Sequence, residues 1–131
     1  MRALLDTHVL IWALGQPRRL PKDIQLVLQE QQNEIFFSAA SIWEIAIKTQ
    51  IGRVHFSVQP IEITRAAIDS GFTQLPVFAD VAALVGQLPL HHRDPFDRLL
   101  IAQAINQPAR LLTADGLLAR YSELVTVIEP I

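Results

Sequence analysis

Cysteine is absent from the 131 residues, which excludes a disulfide framework and a thiolate metal site. Any metal held by this chain must sit on oxygen or imidazole donors. The lack also suits a reducing compartment, so the protein is expected in the cytoplasm. Missing too is any uninterrupted apolar run of the roughly 18 to 20 residues that a membrane-crossing helix requires. The apolar stretch Ala3–Leu5 and Val9–Leu14 is broken by Asp6 and His8, and it has no basic leader or small-residue cleavage site. It is not read as a signal peptide, and a soluble protein is expected. Excess charge of one sign is lacking: eleven basic against thirteen acidic residues leave a formal −2. That excludes whole-molecule charge attraction as the means of finding a polyanion. Nucleic-acid contacts would have to be local, at Arg18, Arg19 and Lys22, at Lys48 and Arg53, or at His91, His92, Arg93 and Arg98. Taken singly, each cluster reads as a solvated face.

What is present is hydrophobic residue, half of the chain, enough for one sizeable core and too little length for two ordinary domains. Apolar runs of strand length alternate with segments of helical period, the pattern of βα units around a mainly parallel sheet. Strands are predicted at Arg2–Asp6, Glu34–Ser38, Phe72–Leu75, Arg110–Thr113 and Val125–Glu129. Helices are predicted near His8–Ala13, Lys22–Gln32, Ala40–Ile51, Ile61–Ser70, Phe78–Leu88 and Pro95–Asn106, with a short one at Gly116–Tyr121. The sharpest boundary is Asp94-Pro95-Phe96-Asp97: Asp94 caps a helix that accepts Pro95 in its first turn and carries acidic Asp97 close behind.

Most acids lie among polar neighbours, but four need an explanation. Asp6 ends an apolar strand in Leu4-Leu5-Asp6-Thr7, at the carboxyl edge where open α/β sheets bind ligands; its plain reading is a helix cap. Glu44 sits in Ser41-Ile42-Trp43-Glu44-Ile45-Ala46-Ile47, a helix apolar almost all round. Its plain reading is an i,i+4 pair with Lys48, worth about 0.2 to 0.5 kcal/mol, little against burial of a charge. Asp97 has a good plain reading as a capping-box acid, and Asp115, after Leu111-Leu112-Thr113-Ala114 and before Gly116, as a turn or cap residue. On one sheet edge, however, the four carboxylates would share a cleft. Two carboxylates about 5 Å apart repel by roughly 3 kcal/mol at an effective dielectric of 20, so the group must take up protons or recruit a cation. With oxygen donors, Mg²⁺ or Mn²⁺ is the natural ion.

Four stretches carry a family resemblance: Leu4-Leu5-Asp6-Thr7-His8-Val9-Leu10-Ile11-Trp12, Ser38-Ala39-Ala40-Ser41-Ile42-Trp43-Glu44-Ile45-Ala46, His91-His92-Arg93-Asp94-Pro95-Phe96-Asp97-Arg98-Leu99-Leu100-Ile101-Ala102 and Leu111-Leu112-Thr113-Ala114-Asp115. In order, spacing and total length the chain resembles the PIN-domain ribonucleases, and within them the toxin component of VapBC toxin–antitoxin systems. The resemblance implies one PIN domain over residues 1–131, an α/β fold with a mainly parallel five-stranded sheet of order 3-2-1-4-5. It puts the catalytic and metal-binding acids on Asp6, Glu44, Asp97 and Asp115, with Thr7 and Thr113 as hydroxyl neighbours orienting carboxylates or water. Asp94 is assigned the cap, and His91 and His92 a loop near the cleft without a ligating role.

The expected activity is endoribonucleolytic cleavage. Asp6 and Asp97 hold the ion most directly, and Glu44 and Asp115 hold and deprotonate the attacking water. Lys48, Arg53, Arg93 and Arg98 are expected to steady the RNA backbone. The family also implies a VapB-type antitoxin whose tail blocks the cleft with a basic side chain, and a homodimer through apolar residues of Ile24–Leu28 and Ile61–Ile68. A haloacid-dehalogenase-type phosphatase needs a second acid where His8 stands, and a receiver domain needs a lysine near its last strand, whereas the lysines are Lys22 and Lys48. The alternative that survives is a non-catalytic PIN-like module that binds RNA or protein.

Overall fold

The computed structural model describes residues 1–52 and 59–131. Five short apolar runs pair as one parallel sheet: β1 (Arg2–Leu5), β2 (Glu34–Ser38), β3 (Thr73–Leu75), β4 (Arg110–Thr113) and β5 (Val125–Val127). Their spatial order is β3-β2-β1-β4-β5, as the family resemblance implied. In register, Leu4 lies beside Phe36 and Leu111, and Leu5 beside Phe37 and Leu112.

The two-residue side-chain period sends these apolar runs to both faces, and helices cover each face, as parallel sheets require. The connecting helices are α1 (Thr7–Gly15), α2 (Lys22–Gln29), α3 (Ala39–Gln50), α4 (Pro60–Asp69), α5 (Ala79–Leu84) and α6 (Pro95–Asn106). One core joins Ala3, Leu5, Ile35, Phe37 and Leu112 to Val9 and Leu10 of α1, Ile45 of α3, and Ile63 and Ala67 of α4. The other joins Leu4, Phe36 and Leu111 to Leu100, Ile101 and Ala104 of α6 and to Leu118. A buried polar contact fixes α6 against the sheet: Ser38 Oγ donates to Gln103 Oε1 at 2.6 Å, while Gln103 Nε2 donates to the Pro76 carbonyl at 3.2 Å.

Two helices are shorter than their apolar period predicts. α2 stops at Gln29 rather than Gln32, and the Asn33 side chain donates to the Val27 carbonyl at 3.0 Å, supplying a partner that the helix no longer provides. α5 stops at Leu84 rather than Leu88 and tightens into a 3-10 turn at Val85–Gln87, where the Arg98 guanidinium takes the Val85 and Leu88 carbonyls. Side-chain donors have replaced helix propagation in both places. Two further 3-10 turns lie at Pro17–Arg19 and Gly116–Arg120.

The chain steps outward from β1 to β2 to β3, then crosses back to add β4 and β5 on the other side of β1. The junction of β1 and β4 is thus the point where strand order reverses; α1 and the turn after β4 go to opposite faces, the arrangement that in open α/β sheets leaves a crevice at the carboxyl ends of the strands. Asp6 follows β1 directly, and its N–H still donates to the Leu112 carbonyl of β4 at 3.0 Å. Among the described residues no helix is long and apolar enough to cross a membrane.

Phe37 is fully buried in the first core. Phe37→Ala is expected to lower the unfolding free energy by about 3 to 5 kcal/mol in urea denaturation, because the cavity sits between sheet and helices that cannot collapse onto it.

Candidate active site

The crevice begins with Asp6, which turns out of β1 and caps α1: its Oδ1 accepts from the Val9 N–H at 2.8 Å. Its other oxygen, Oδ2, accepts from the Thr113 hydroxyl at the end of β4, at 2.5 Å. Thr113 in turn accepts the Asp115 N–H at 3.0 Å, so one hydroxyl spans the switch point and sets the direction in which the chain leaves β4. Asp6 is only 5% exposed. Capping and site membership are compatible here, since each carboxylate oxygen keeps a second lone pair.

Glu44 arrives from α3, which Ser38 caps by accepting the Ala40 N–H at 3.0 Å. It is 4% exposed. The Thr7 hydroxyl donates to Glu44 Oε1 at 2.6 Å and lies 3.0 Å from the Ser41 hydroxyl, which is left to donate to Thr7. The Lys48 ammonium donates to Glu44 Oε2. The ion pair expected one turn along the helix is therefore made, and a relay of two hydroxyls joins α1 to α3 as well.

The third wall is the start of α6. Asp94 Oδ1 accepts from the Phe96 N–H at 2.8 Å and the Asp97 N–H at 3.2 Å, the predicted cap. This leaves the Asp97 carboxylate directed elsewhere, and among the described residues its ion-pair contact is His92 Nε2 at 3.6 Å. The same nitrogen lies 2.9 Å from Asp115 Oδ2. The opposite ring nitrogen, Nδ1, accepts from the Asp94 N–H at 3.0 Å, so a neutral His92 carries its proton on Nε2 and donates it to Asp115. In that tautomer His92 braces the outer carboxylates rather than offering a lone pair to a metal. Asp115 also caps the following 3-10 turn, through Leu117 N–H at 3.0 Å. Ligand atoms of His92, Asp97 and Asp115 all lie within 4.8 Å of one another.

Charge in the crevice is strongly one-sided. Burial pushes the Asp6 carboxyl above its ordinary range, with a further push from Glu44, against the opposing effect of the Thr113 and Val9 hydrogen bonds and of His8. Burial, then the charges of Asp94, Asp6 and Glu44, push Asp97 up to about 7, with His92 opposing. Asp97 thus feels both buried acids as well as its own cap, which places Asp6, Glu44 and Asp97 in one electrostatic group. The Lys48 ammonium is held above its usual range, first by the hydrogen bond to Glu44. A hard divalent cation fits this donor set: the carboxylates keep free lone pairs, and Asp97, the least hydrogen-bonded of them, is raised by burial and then by its neighbours' negative charge.

The expected RNA contacts are placed differently. Arg98 is 8% exposed, and its Nη1 and Nη2 donate to the carbonyls of Val85, Leu88, Pro89 and His92 at 2.9 to 3.4 Å. This corrects the sequence expectation: a guanidinium spent on four carbonyls inside the fold does not lie on an RNA backbone. Arg98 instead pins the loop that carries His92, helped by Tyr121, whose hydroxyl accepts the His92 N–H at 2.8 Å. Lys48 is committed to Glu44, Arg93 is exposed, and Arg53 lies outside the described residues. Ser41 is a site neighbour that sequence reading passed over, and His92, placed in a loop near the cleft, was not foreseen as a partner of Asp115. The local signal for His92 was its position two residues before the Asp94 cap.

Residues 3–124 match the family model described as PIN domain. Ribonuclease VapC22 of Mycobacterium tuberculosis is 31% identical over 127 residues, covering 95% of this chain and 96% of that protein. In fold, the chain is similar to one in the crystal structure of VapBC2 from Rickettsia felis bound to a DNA fragment from their promoter. The TM-score is 0.70 at 16% identity, over 98% of this chain and 99% of that one.

Two outcomes test this geometry. An ordinary aspartate titrates near 3.8 and Asp97 in the fold near 7, so the fold favours its protonated form. Its contribution to stability is complete below about pH 4 and is lost as pH rises through about 7. In metal-free buffer, Asp97→Asn is expected to raise the thermal midpoint at pH 8 and to leave it nearly unchanged at pH 4; equal midpoints at pH 8 would show that the crowding of charge is not felt. Arg98→Met is expected to cost about 2 to 4 kcal/mol in denaturant unfolding, because it strands buried carbonyls.

Proposed function

This chain belongs to the PIN-domain family as a VapC-type member, and we propose on that premise that it is a divalent-metal-dependent endoribonuclease, the toxin of a toxin–antitoxin pair. The single observation that carries the reading is the acidic group at the strand-order switch point, where Asp97 feels the charges of the buried Asp6 and Glu44 and shares His92 with Asp115.

In this reading Asp6 and Asp97 would hold Mg²⁺ or Mn²⁺, with Glu44 and Asp115 completing the acidic set. When bound, the ion offsets phosphate charge and makes water a stronger nucleophile. Thr113 fixes the rotamer of Asp6, and Thr7 with Lys48 fixes that of Glu44, so neither carboxylate has to be ordered when substrate arrives. His92 holds Asp115 at the outer rim, where water enters. Asp115, whose side chain is 37% exposed, accepts the proton of the water that attacks phosphorus. One P–O bond forms to the water oxygen, the P–O bond to the leaving oxygen breaks, and the proton passes on to that oxygen. Arg93, exposed beside the α6 cap, is left to contact the phosphate chain.

The partners proposed with this activity are an RNA substrate and a VapB-type antitoxin that enters the acidic crevice with a basic side chain. A second copy of the chain is proposed to pack on Leu26 of α2 and on Ile61 and Ile68 of α4, each more than half exposed. These side chains leave the helix faces opposite the buried Ile24, Ile63 and Ala67.

Cleavage of single-stranded RNA by purified wild-type protein is expected with Mg²⁺ or Mn²⁺ and not with EDTA. Asp6→Asn and Asp97→Asn are each expected to slow it by about a hundredfold or more while remaining folded by circular dichroism. Undiminished cutting by these variants would sink the reading, and RNA binding without cutting by the wild type would point to a non-catalytic module.

A further inference from the structure

Trp43 is large, apolar and 61% exposed, although it lies on α3 immediately before the buried Glu44. Its indole meets the ring of Phe96, the residue immediately before Asp97 on α6, edge to face at a centroid distance of 5.3 Å. The pair therefore bridges the two helices that deliver Glu44 and Asp97 to the crevice. Exposing a tryptophan is unfavourable, and clamping it with a second aromatic removes rotamer freedom that solvent would otherwise give it. The result is an exposed aromatic pair on the two helices that carry Glu44 and Asp97.

Charge explains what this surface is suited to receive. If the proposed nuclease reading holds, on which this inference rests, the site must admit a polyanion although the chain carries a formal −2 and the crevice is lined with carboxylates. Of the basic side chains expected beside the site, Arg98 is consumed by backbone carbonyls and Lys48 by Glu44, while Arg93 is exposed at the start of α6. With so few cations beside the acids, contacts that do not depend on phosphate charge gain weight in holding the strand. Stacking of an unpaired base on an aromatic side chain is such a contact, and it tolerates any base because every base has a π face. We infer that Trp43, braced by Phe96, is the stacking platform for an unpaired base of the RNA strand adjacent to the cleaved phosphate. Trp43 is thus a substrate-positioning residue, and it selects single-stranded over duplex RNA, whose stacked bases are closed to it.

The test compares wild type, Trp43→Phe and Trp43→Leu with a single-stranded oligoribonucleotide and with the same strand annealed to its complement. Leucine keeps an apolar side chain and removes the π face; phenylalanine keeps one. Thermal midpoints establish that both variants are folded, as an exposed position allows. Trp43→Leu is expected to raise KM for the single strand about tenfold or more with kcat changed by less than about threefold, and Trp43→Phe to stay within about threefold of wild type. In a Trp12→Phe background, where Trp43 is the remaining tryptophan, binding of the strand in EDTA is expected to quench indole fluorescence. An unchanged KM in Trp43→Leu, or no quenching on saturable binding, overturns the inference while metal-dependent cutting by the wild type keeps the nuclease reading. If Trp43→Leu weakens only the association with a protein partner, the surface is a protein dock and the inference is wrong. A wild type that neither binds nor cuts RNA removes both.

Discussion

Burial of carboxylates beside one another at the carboxyl ends of β1 and β4 is the constraint on which the rest of the site depends. Asp6 and Glu44 are almost wholly buried, and Asp97 responds to both of them and to Asp94. Such a concentration of charge opposes folding unless each group is restrained and partly compensated. The hydrogen bonds around the crevice do that: backbone N–H groups at helix starts for Asp6, Asp94 and Asp115, hydroxyls for Asp6 and Glu44, an ammonium for Glu44, and the Nε2–H of His92 for Asp115. The compensation is incomplete at Asp97, whose carboxyl stays near 7. In the proposed account a divalent cation supplies the counter-charge there.

The scaffold supplies this arrangement through topology more than through sequence-local geometry. Because strand order reverses between β1 and β4, residues 107 positions apart, Asp6 and Thr113, share a hydrogen bond. The Ser38–Gln103 contact anchors α6 under its own acidic end, and the Arg98 guanidinium ties down the loop that delivers His92. Two buried polar networks therefore stand behind the two sides of the crevice. Movement of either would shift Asp97 relative to Asp6, and positional errors of that kind weigh heavily on catalysis.

Much of this was legible in the sequence, and the reason differs from residue to residue. Strands β2 and β4 match their predicted limits, since apolar runs bounded by turn formers leave little alternative. The Asp94 cap was readable because Asp-Pro at a helix start has a local mechanism. Asp6 and Glu44 stood out because apolar neighbours implied burial, and both are buried. Asp115 was read as a turn or cap residue with a place in the site, and it does cap a turn. What stayed hidden was tertiary. Arg98 looked like one more surface charge, because no local pattern says that a loop will wrap its carbonyls around a guanidinium. His92 looked solvated because its position depends on that wrapped loop and on the Tyr121 hydroxyl, 29 residues away. The early end of α5 has the same origin, with Arg98 taking carbonyls that the helix would have used.

The proposal that these crowded carboxylates take up a divalent cation is most directly tested by calorimetry. Mg²⁺ or Mn²⁺ would be titrated into the metal-free protein at pH 7 in two buffers of different ionisation enthalpy. The account predicts saturable binding whose apparent enthalpy differs between the buffers, because Asp97, near 7 without metal, releases its proton as the ion enters. Saturable binding with the same enthalpy in both buffers, or no binding at millimolar metal, would contradict it.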